Sequence, residues 1–195
     1  MSNSRIKAVI FDMDGVLIDS EMIYLEDVLR FARTKNPQVT LKELISVVGR
    51  TAKDTWSIVE QAVGNGQGWE ELREEYRAKR TIYETVDYRK IFRTEARDVI
   101  RTLKDQGYRL AVASSTSLPL VTRVLTENEI IGYFDQVVSG NMFRQSKPDP
   151  EIYHYTAGKL GVKEEECLVI EDSTVGITAA YRAGMTVAAV IDDRF

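Results

Sequence analysis

Two aspartates separated by a single residue, in Asp12-Met13-Asp14-Gly15-Val16, follow directly on the run Lys7-Ala8-Val9-Ile10-Phe11, which is apolar after its first residue. If the chain stays extended there, strand alternation puts both carboxylates on one side. A cation between them or a shared proton relieves their repulsion. Either arrangement serves chemistry, with one carboxylate attacking and the other carrying a proton. Gly15 permits a sharp change of direction just after the pair. The same residues also read as an acidic strand-to-helix turn in which Asp14 or Asp19 caps a helix.

Three further clusters offer matching chemistry. The hydroxyls of Ser114-Ser115-Thr116-Ser117, with backbone donors at the start of a following helix, make a compact anion site or, equally, a helix cap. In Ser146-Lys147-Pro148-Asp149-Pro150, Lys147 is a point positive charge for a phosphate, and the prolines beside it stiffen the loop and can start a helix. Glu171-Asp172-Ser173 supplies hard oxygen ligands that suit Mg2+, or caps the helix that begins at Thr174.

The elements that must position these clusters fall into two patterns. From residue 17 to 90 no strand-like alternation occurs. Helical spacing runs through 17–35, 40–48, 51–63 and Trp69–Tyr83, broken by Pro37 and by Gly64-Asn65-Gly66-Gln67-Gly68. From about residue 94, helices alternate with short apolar strands at Tyr108–Ala113, Gln136–Ser139, Cys167–Ile170 and Thr186–Ile191. Strands separated by helices imply right-handed crossovers and a largely parallel sheet, where ligands bind beyond the carboxyl ends of the strands. All four clusters lie at such ends. The expected organisation is an α/β core formed by 1–16 and 91–195, with an all-helical insertion at 17–90.

Composition narrows the function. A net charge of −4 in 195 residues argues against a partner held through phosphate-backbone electrostatics, so no nucleic acid is expected. No stretch is long enough to span a bilayer and the N-terminus does not resemble a signal peptide, so a cytoplasmic protein without a membrane partner is expected. The sequence does not fix the oligomeric state, for which a monomer is the working expectation. The single Cys167 reads as a buried reduced thiol, and His154 as a helix-surface residue, which leaves no His-based metal cluster or Ser-His-Asp triad. Trp56 and Trp69 read as packing residues. The last strand is followed closely by Asp192-Asp193-Arg194-Phe195, so this end is expected to be trimmed or an exposed edge.

Taken in order, an Asp pair, a hydroxyl cluster, a Lys and an acidic pair, each ending its own strand, resemble the haloacid dehalogenase superfamily of aspartate-nucleophile phosphotransferases. Within it they are similar to the branch of β-phosphoglucomutase and small sugar-phosphate phosphatases. The resemblance implies a Rossmann-like parallel sheet core flanked by helices, with an inserted helical cap. It implies Asp12 as nucleophile, Asp14 as general acid/base, and Ser114, Ser115 and Lys147 around the phosphate. It also implies Mg2+ held by Asp12, the backbone carbonyl of Asp14 and Asp172, with Glu171 as a direct or outer ligand. Asp14 fits a phosphate ester rather than a halide substrate, because an alkoxide leaving group needs a proton and a halide does not.

The insertion matches the mutases less well. Where that branch places a His after the second Asp, this chain has Tyr24, and where it places the Arg that grips a second phosphate, this chain has Ala52. Tyr24, Arg50 and Lys53 are therefore the candidate substrate contacts of the insertion. The expected function is a Mg2+-dependent phosphatase of a small phosphorylated metabolite. The alternatives are a phosphosugar mutase of the β-phosphoglucomutase type and a catalytically silent binding module.

Overall fold

The computed structural model describes residues 6–47, 50, 52–79 and 85–191. Val48, Gly49, Thr51, the end of the expected Trp69–Tyr83 helix and the Asp192–Phe195 tail lie outside the described residues. The core unit comprises five parallel strands, β1 (Ala8–Phe11), β2 (Arg109–Ser114), β3 (Gln136–Ser139), β4 (Cys167–Glu171) and β5 (Thr186–Ala189), in the order β3-β2-β1-β4-β5. All four residues of β1 and the last five of β2 are buried, as central strands of a sheet covered on both faces must be. Helices α5 (Thr94–Asp105), α6 (Leu118–Glu127), α7 (Glu151–Leu160) and α8 (Thr174–Arg182) make the crossovers. Tyr153 and Ala157 of α7 and Ala179 and Ala180 of α8 share a buried cluster with Ile10, Ala111, Val138 and Val169 of the sheet. This is the α/β fold expected from the alternation of elements.

Register decides what meets at the carboxyl edge. Phe11 of β1 is level with Val112 of β2 and Ile170 of β4, while Ser114 of β2 is level with Ser139 of β3. Asp12, just past β1, and Glu171, the last residue of β4, therefore lie side by side at the carboxyl edge. The Asp12 N–H donates to the Ile170 carbonyl at 2.9 Å. From β1 the chain crosses towards β2, and from β4 towards β5. The gap between β1 and β4 is thus the topological switch point, where open α/β sheets place their ligands.

The helical unit comprises α1 (Ser20–Lys35), α2 (Leu41–Leu44), α3 (Ala52–Val63) and α4 (Trp69–Lys79). Leu25, Val28, Phe31, Trp56, Val59, Leu72 and Tyr76 form its core. Trp56 stacks edge-on with Phe31 at 5.8 Å and lies 5.0 Å from Tyr76, which makes it a packing residue. Asn36 donates to the carbonyls of Ala62 and Val63, so the end of α1 satisfies the last turn of α3. The expected helix at 40–48 is instead one α turn followed by a 3-10 turn at Ile45–Val47, and the Val47 carbonyl there accepts the Thr55 hydroxyl. Two β-branched residues in three weaken the longer helix.

Contacts divide the chain after Asp19 and after Val86, rather than at the sequence boundaries of 16 and 90. Residues 17–19 are held to the core unit by backbone bonds, Asp19 N–H to Ile91 carbonyl and Arg93 N–H to Leu17 carbonyl. Apolar periodicity does not reveal such bonds. Among the described residues, no helix is long and apolar enough to cross a membrane. Cys167 is buried and unbridged, with burial pushing its thiol up to about 12, and His154 is on the surface of α7, paired with Glu164 at 2.9 Å.

Candidate active site

Lys147 is the centre of the strand-end cluster. Its ammonium donates to Asp12 Oδ1 at 2.6 Å, to Glu171 Oε1 at 2.6 Å and to the Ala113 carbonyl at 3.1 Å. An ammonium has three protons, and each has an acceptor here. The side chain is only 4% exposed, and the Nζ lies 5.1 Å from the centre of the Tyr153 ring. The residue expected as a phosphate holder therefore also ties the ends of β1, β2 and β4 together.

The two acids of the last cluster are held differently. Glu171 is buried, and both its oxygens are saturated. Oε1 accepts from Lys147 and from the Tyr153 hydroxyl at 3.2 Å, and Oε2 accepts from the Ser173 N–H and hydroxyl, each at 2.9 Å. Its carboxylate fills the space a side chain at Gly176 would need, since a Cβ there would sit 1.7 Å from Oε1. Ser173 also caps α8 by accepting the Gly176 N–H, so the cap and the acid pair coexist in one turn. Asp172 is half-buried and lies against Gly15, where a Cβ would come within 1.8 Å of Oδ2.

The hydroxyl cluster divides its tasks. Ser114 is fully buried, and its Oγ accepts the Thr116 N–H at 3.0 Å, while Ser115 is exposed. Ser117 stands at the N-cap of α6 without making a side-chain cap bond. The Thr116 hydroxyl donates to Asp14 Oδ2 at 2.8 Å.

The charges do not balance. One oxygen each from Asp12, Glu171 and Asp172 lie within 4.8 Å of one another beside a single ammonium, and Asp14 adds a further negative charge. Burial first, then Glu171 and Asp14, push the Asp12 carboxyl up to about 7 against the pull of Lys147. Burial and then Glu171 push Asp172 up to about 6. For Lys147, burial favours the neutral amine, but Asp12 and Glu171 outweigh it and hold the ammonium charged. An excess of hard, convergent carboxylate oxygens fits a divalent cation, and the Gly15 backbone leaves room for one of them.

Residues 9–190 match the haloacid dehalogenase-like hydrolase family. The chain belongs to this family. Among curated relatives, this hydrolase is 30% identical over 180 residues to the phosphorylated carbohydrates phosphatase of Thermotoga maritima, covering 92% of this chain and 82% of that one. It is 31% identical over 190 residues to hexitol phosphatase B of Escherichia coli, covering 95% and 84%. Among solved structures, a candidate β-phosphoglucomutase from Thermotoga maritima superposes with a TM-score of 0.76 at 28% identity, covering 97% of this chain and 88% of that one.

In this haloacid dehalogenase-like hydrolase the three candidates from the insertion belong to the helical unit. Tyr24 is half-buried, its ring edge-on to Tyr76 at 6.3 Å. Arg50 is exposed and donates from Nε to the Ser46 carbonyl at 2.6 Å, and Lys53 is exposed in the first turn of α3. The residues that sequence reasoning did not single out are Thr116 and Tyr153. Thr116 lay inside a recognised hydroxyl cluster, but nothing local linked it to Asp14. Tyr153 had no signal beyond following the Lys147 loop by a few residues.

The close seat of Asp172 gives a test. Gly15→Ala, at φ +73°, both strains the turn and displaces the Asp172 carboxylate. Divalent cation affinity by calorimetry should fall by about tenfold or more, in the range seen when groups that orient metal ligands are lost. Unchanged affinity would remove Asp172 from the cation site.

Proposed function

We propose that this chain is a Mg2+-dependent phosphatase that hydrolyses a small phosphorylated carbohydrate through a phosphorylated Asp12. The observation that carries the reading is the convergence of Asp12, Glu171 and Asp172 within 4.8 Å around Lys147, at the switch point of a parallel sheet. The printed names of two relatives, a phosphorylated carbohydrates phosphatase and a hexitol phosphatase, support the substrate class.

In the proposed reaction a carboxylate oxygen of Asp12 attacks phosphorus, and the bond from phosphorus to the ester oxygen breaks. Asp14 gives its proton to the departing alkoxide. Water then attacks the phosphorus of the acyl phosphate, Asp14 takes the proton of that water, and inorganic phosphate leaves with Asp12 restored. Lys147 holds Asp12 in place and offsets the repulsion between carboxylate and phosphate, while Ser115 and the backbone of its loop bind phosphate oxygens. Asp12, Asp172 and the backbone carbonyl of Asp14 would hold Mg2+, with Glu171 behind them, its lone pairs already taken by Lys147, Tyr153 and Ser173. Bound Mg2+ supplies positive charge that offsets the negative charge gathered in the transition state.

Phosphate release from a panel of phosphomonoesters, with Mg2+ and with chelator, tests this reading. Release only with Mg2+ is expected. No release from any ester would leave the silent module. Offered β-glucose 1-phosphate with a trace of the 1,6-bisphosphate, the enzyme should free phosphate and make little glucose 6-phosphate. Rapid isomerisation without phosphate would instead establish the mutase.

Acidity should oppose the metal. Cation binding needs both carboxylates ionised, and Asp12 near 7 and Asp172 near 6 carry protons in the metal-free protein below those values. Apparent Mg2+ affinity should therefore fall by about tenfold per pH unit for each proton displaced as pH drops from about 7 to about 5. Metal-free stability runs the other way. Acids raised in the folded state contribute stability that is present below about pH 4 and lost as pH rises through 6 to 7. Calorimetric titrations across this range check the first statement, and urea midpoints in chelator the second.

A further inference from the structure

We propose that Thr116 is a positioning residue for Asp14, fixing one carboxylate oxygen so that the proton delivered to the leaving group is carried on the other; the inference rests on the phosphatase reading above. The Thr116 hydroxyl donates to Asp14 Oδ2 at 2.8 Å, which holds that oxygen as an acceptor. Among the described residues it is the one side chain hydrogen-bonded to Asp14. With Oδ2 occupied, the acidic proton belongs on Oδ1.

Thr116 is itself anchored from two strand ends. Its N–H donates to Ser114 Oγ at 3.0 Å, and its carbonyl accepts the Ser139 hydroxyl at 2.7 Å. Ser114 and Ser139 are level in the β2–β3 ladder, and both are fully buried. A Cβ at Gly140 would lie 3.1 Å from the Ser115 Cα, so the exit of β3 packs tightly against this loop. Thr is also restricted at χ1, so a fixed backbone limits the directions its hydroxyl can take. Two serines on neighbouring strands thus orient a third residue onto a carboxylate that leaves β1 on a glycine-containing loop.

Leaving-group dependence tests this directly. An alkyl ester needs protonation as its bond breaks, whereas the phenolate of p-nitrophenyl phosphate needs little. In Thr116→Val, kcat on glucose 6-phosphate should fall by about tenfold to a hundredfold, part of what general acid catalysis supplies, while kcat on p-nitrophenyl phosphate changes by less than about threefold. Thr116→Ser keeps the hydroxyl and should restore the alkyl ester rate to within about threefold of the wild type. An equal loss on both esters, no loss on either, or failure of Thr116→Ser to rescue would overturn the assignment. If Thr116→Val does not fold, Thr116→Ala and Thr116→Ser form the same comparison. A wild-type protein that releases phosphate from neither ester would instead remove the phosphatase reading itself, so the two failures are distinct.

Discussion

Asp12→Asn is expected to lower kcat by at least about 10^4-fold on every phosphate ester while leaving the fold intact, a loss of the size seen when a covalent nucleophile is removed. The amide keeps the shape of the carboxylate but has neither its charge nor its nucleophilicity. Folding should survive because the substitution removes one of several carboxylates crowded around one ammonium, and Lys147 keeps its bonds to Glu171 and to the Ala113 carbonyl. The metal-free variant should be at least as stable as the wild type above about pH 7, since it no longer buries a charge that burial disfavours there. Circular dichroism and a thermal melt check the fold, and phosphate release checks the rate. Near wild-type kcat would exclude Asp12 as nucleophile, and loss of the fold would mean that its charge is structural.

Lys147→Met should have the largest effect on stability. The ammonium is the counter-charge of Asp12 and Glu171, which are 9% and 1% exposed in their side chains, so its removal strands two buried carboxylates. Breaking a buried pair by removing one partner costs about 3–5 kcal/mol. The deficit should shrink as pH falls, because the stranded carboxylates then take up protons. It should also shrink as Mg2+ is added, because a cation that binds only the folded state stabilises it by mass action. Urea midpoints at about pH 8 and about pH 5.5, with and without Mg2+, measure both trends against ordinary carboxylate titration. A deficit independent of pH would mean that Lys147 acts through packing. Phosphatase activity should fall by about 10^2–10^3-fold even where the variant is folded, the usual cost of losing a charge aimed at the transition state.

Much of this was legible in the chain because three of the five strands are short, largely apolar runs that stop at a polar cluster. Ala8–Phe11 ends at Asp12, Arg109–Ser114 at its hydroxyls and Cys167–Glu171 at Asp172. The order of those clusters carried the family resemblance, and the match over residues 9–190 bears it out. Distances across the sheet were not legible. Nothing local says that Lys147 reaches both Asp12 and Glu171, because that depends on the level pairing of Phe11 with Ile170 and on the loop before α7. The Thr116–Asp14 bond joins residues 102 positions apart and follows from the side-by-side exit of β1 and β2. The resemblance implied Ser114 as a phosphate holder, but no local signal showed that the ladder buries it with its Oγ accepting the Thr116 N–H. Residues 17–19 carried a helical pattern but are claimed by backbone bonds to Ile91 and Arg93, which periodicity cannot register.

The most direct measurement is an acid-quenched single turnover with a hexose 6-phosphate carrying radioactive phosphorus, in the presence of Mg2+. Label should appear transiently on the peptide containing Asp12, be released by hydroxylamine as an acyl phosphate is, and be missing from Asp12→Asn and from enzyme in chelator. Phosphate released at the wild-type rate with no label on Asp12 at any time, or label held by another residue, would contradict an Asp12-centred phosphatase.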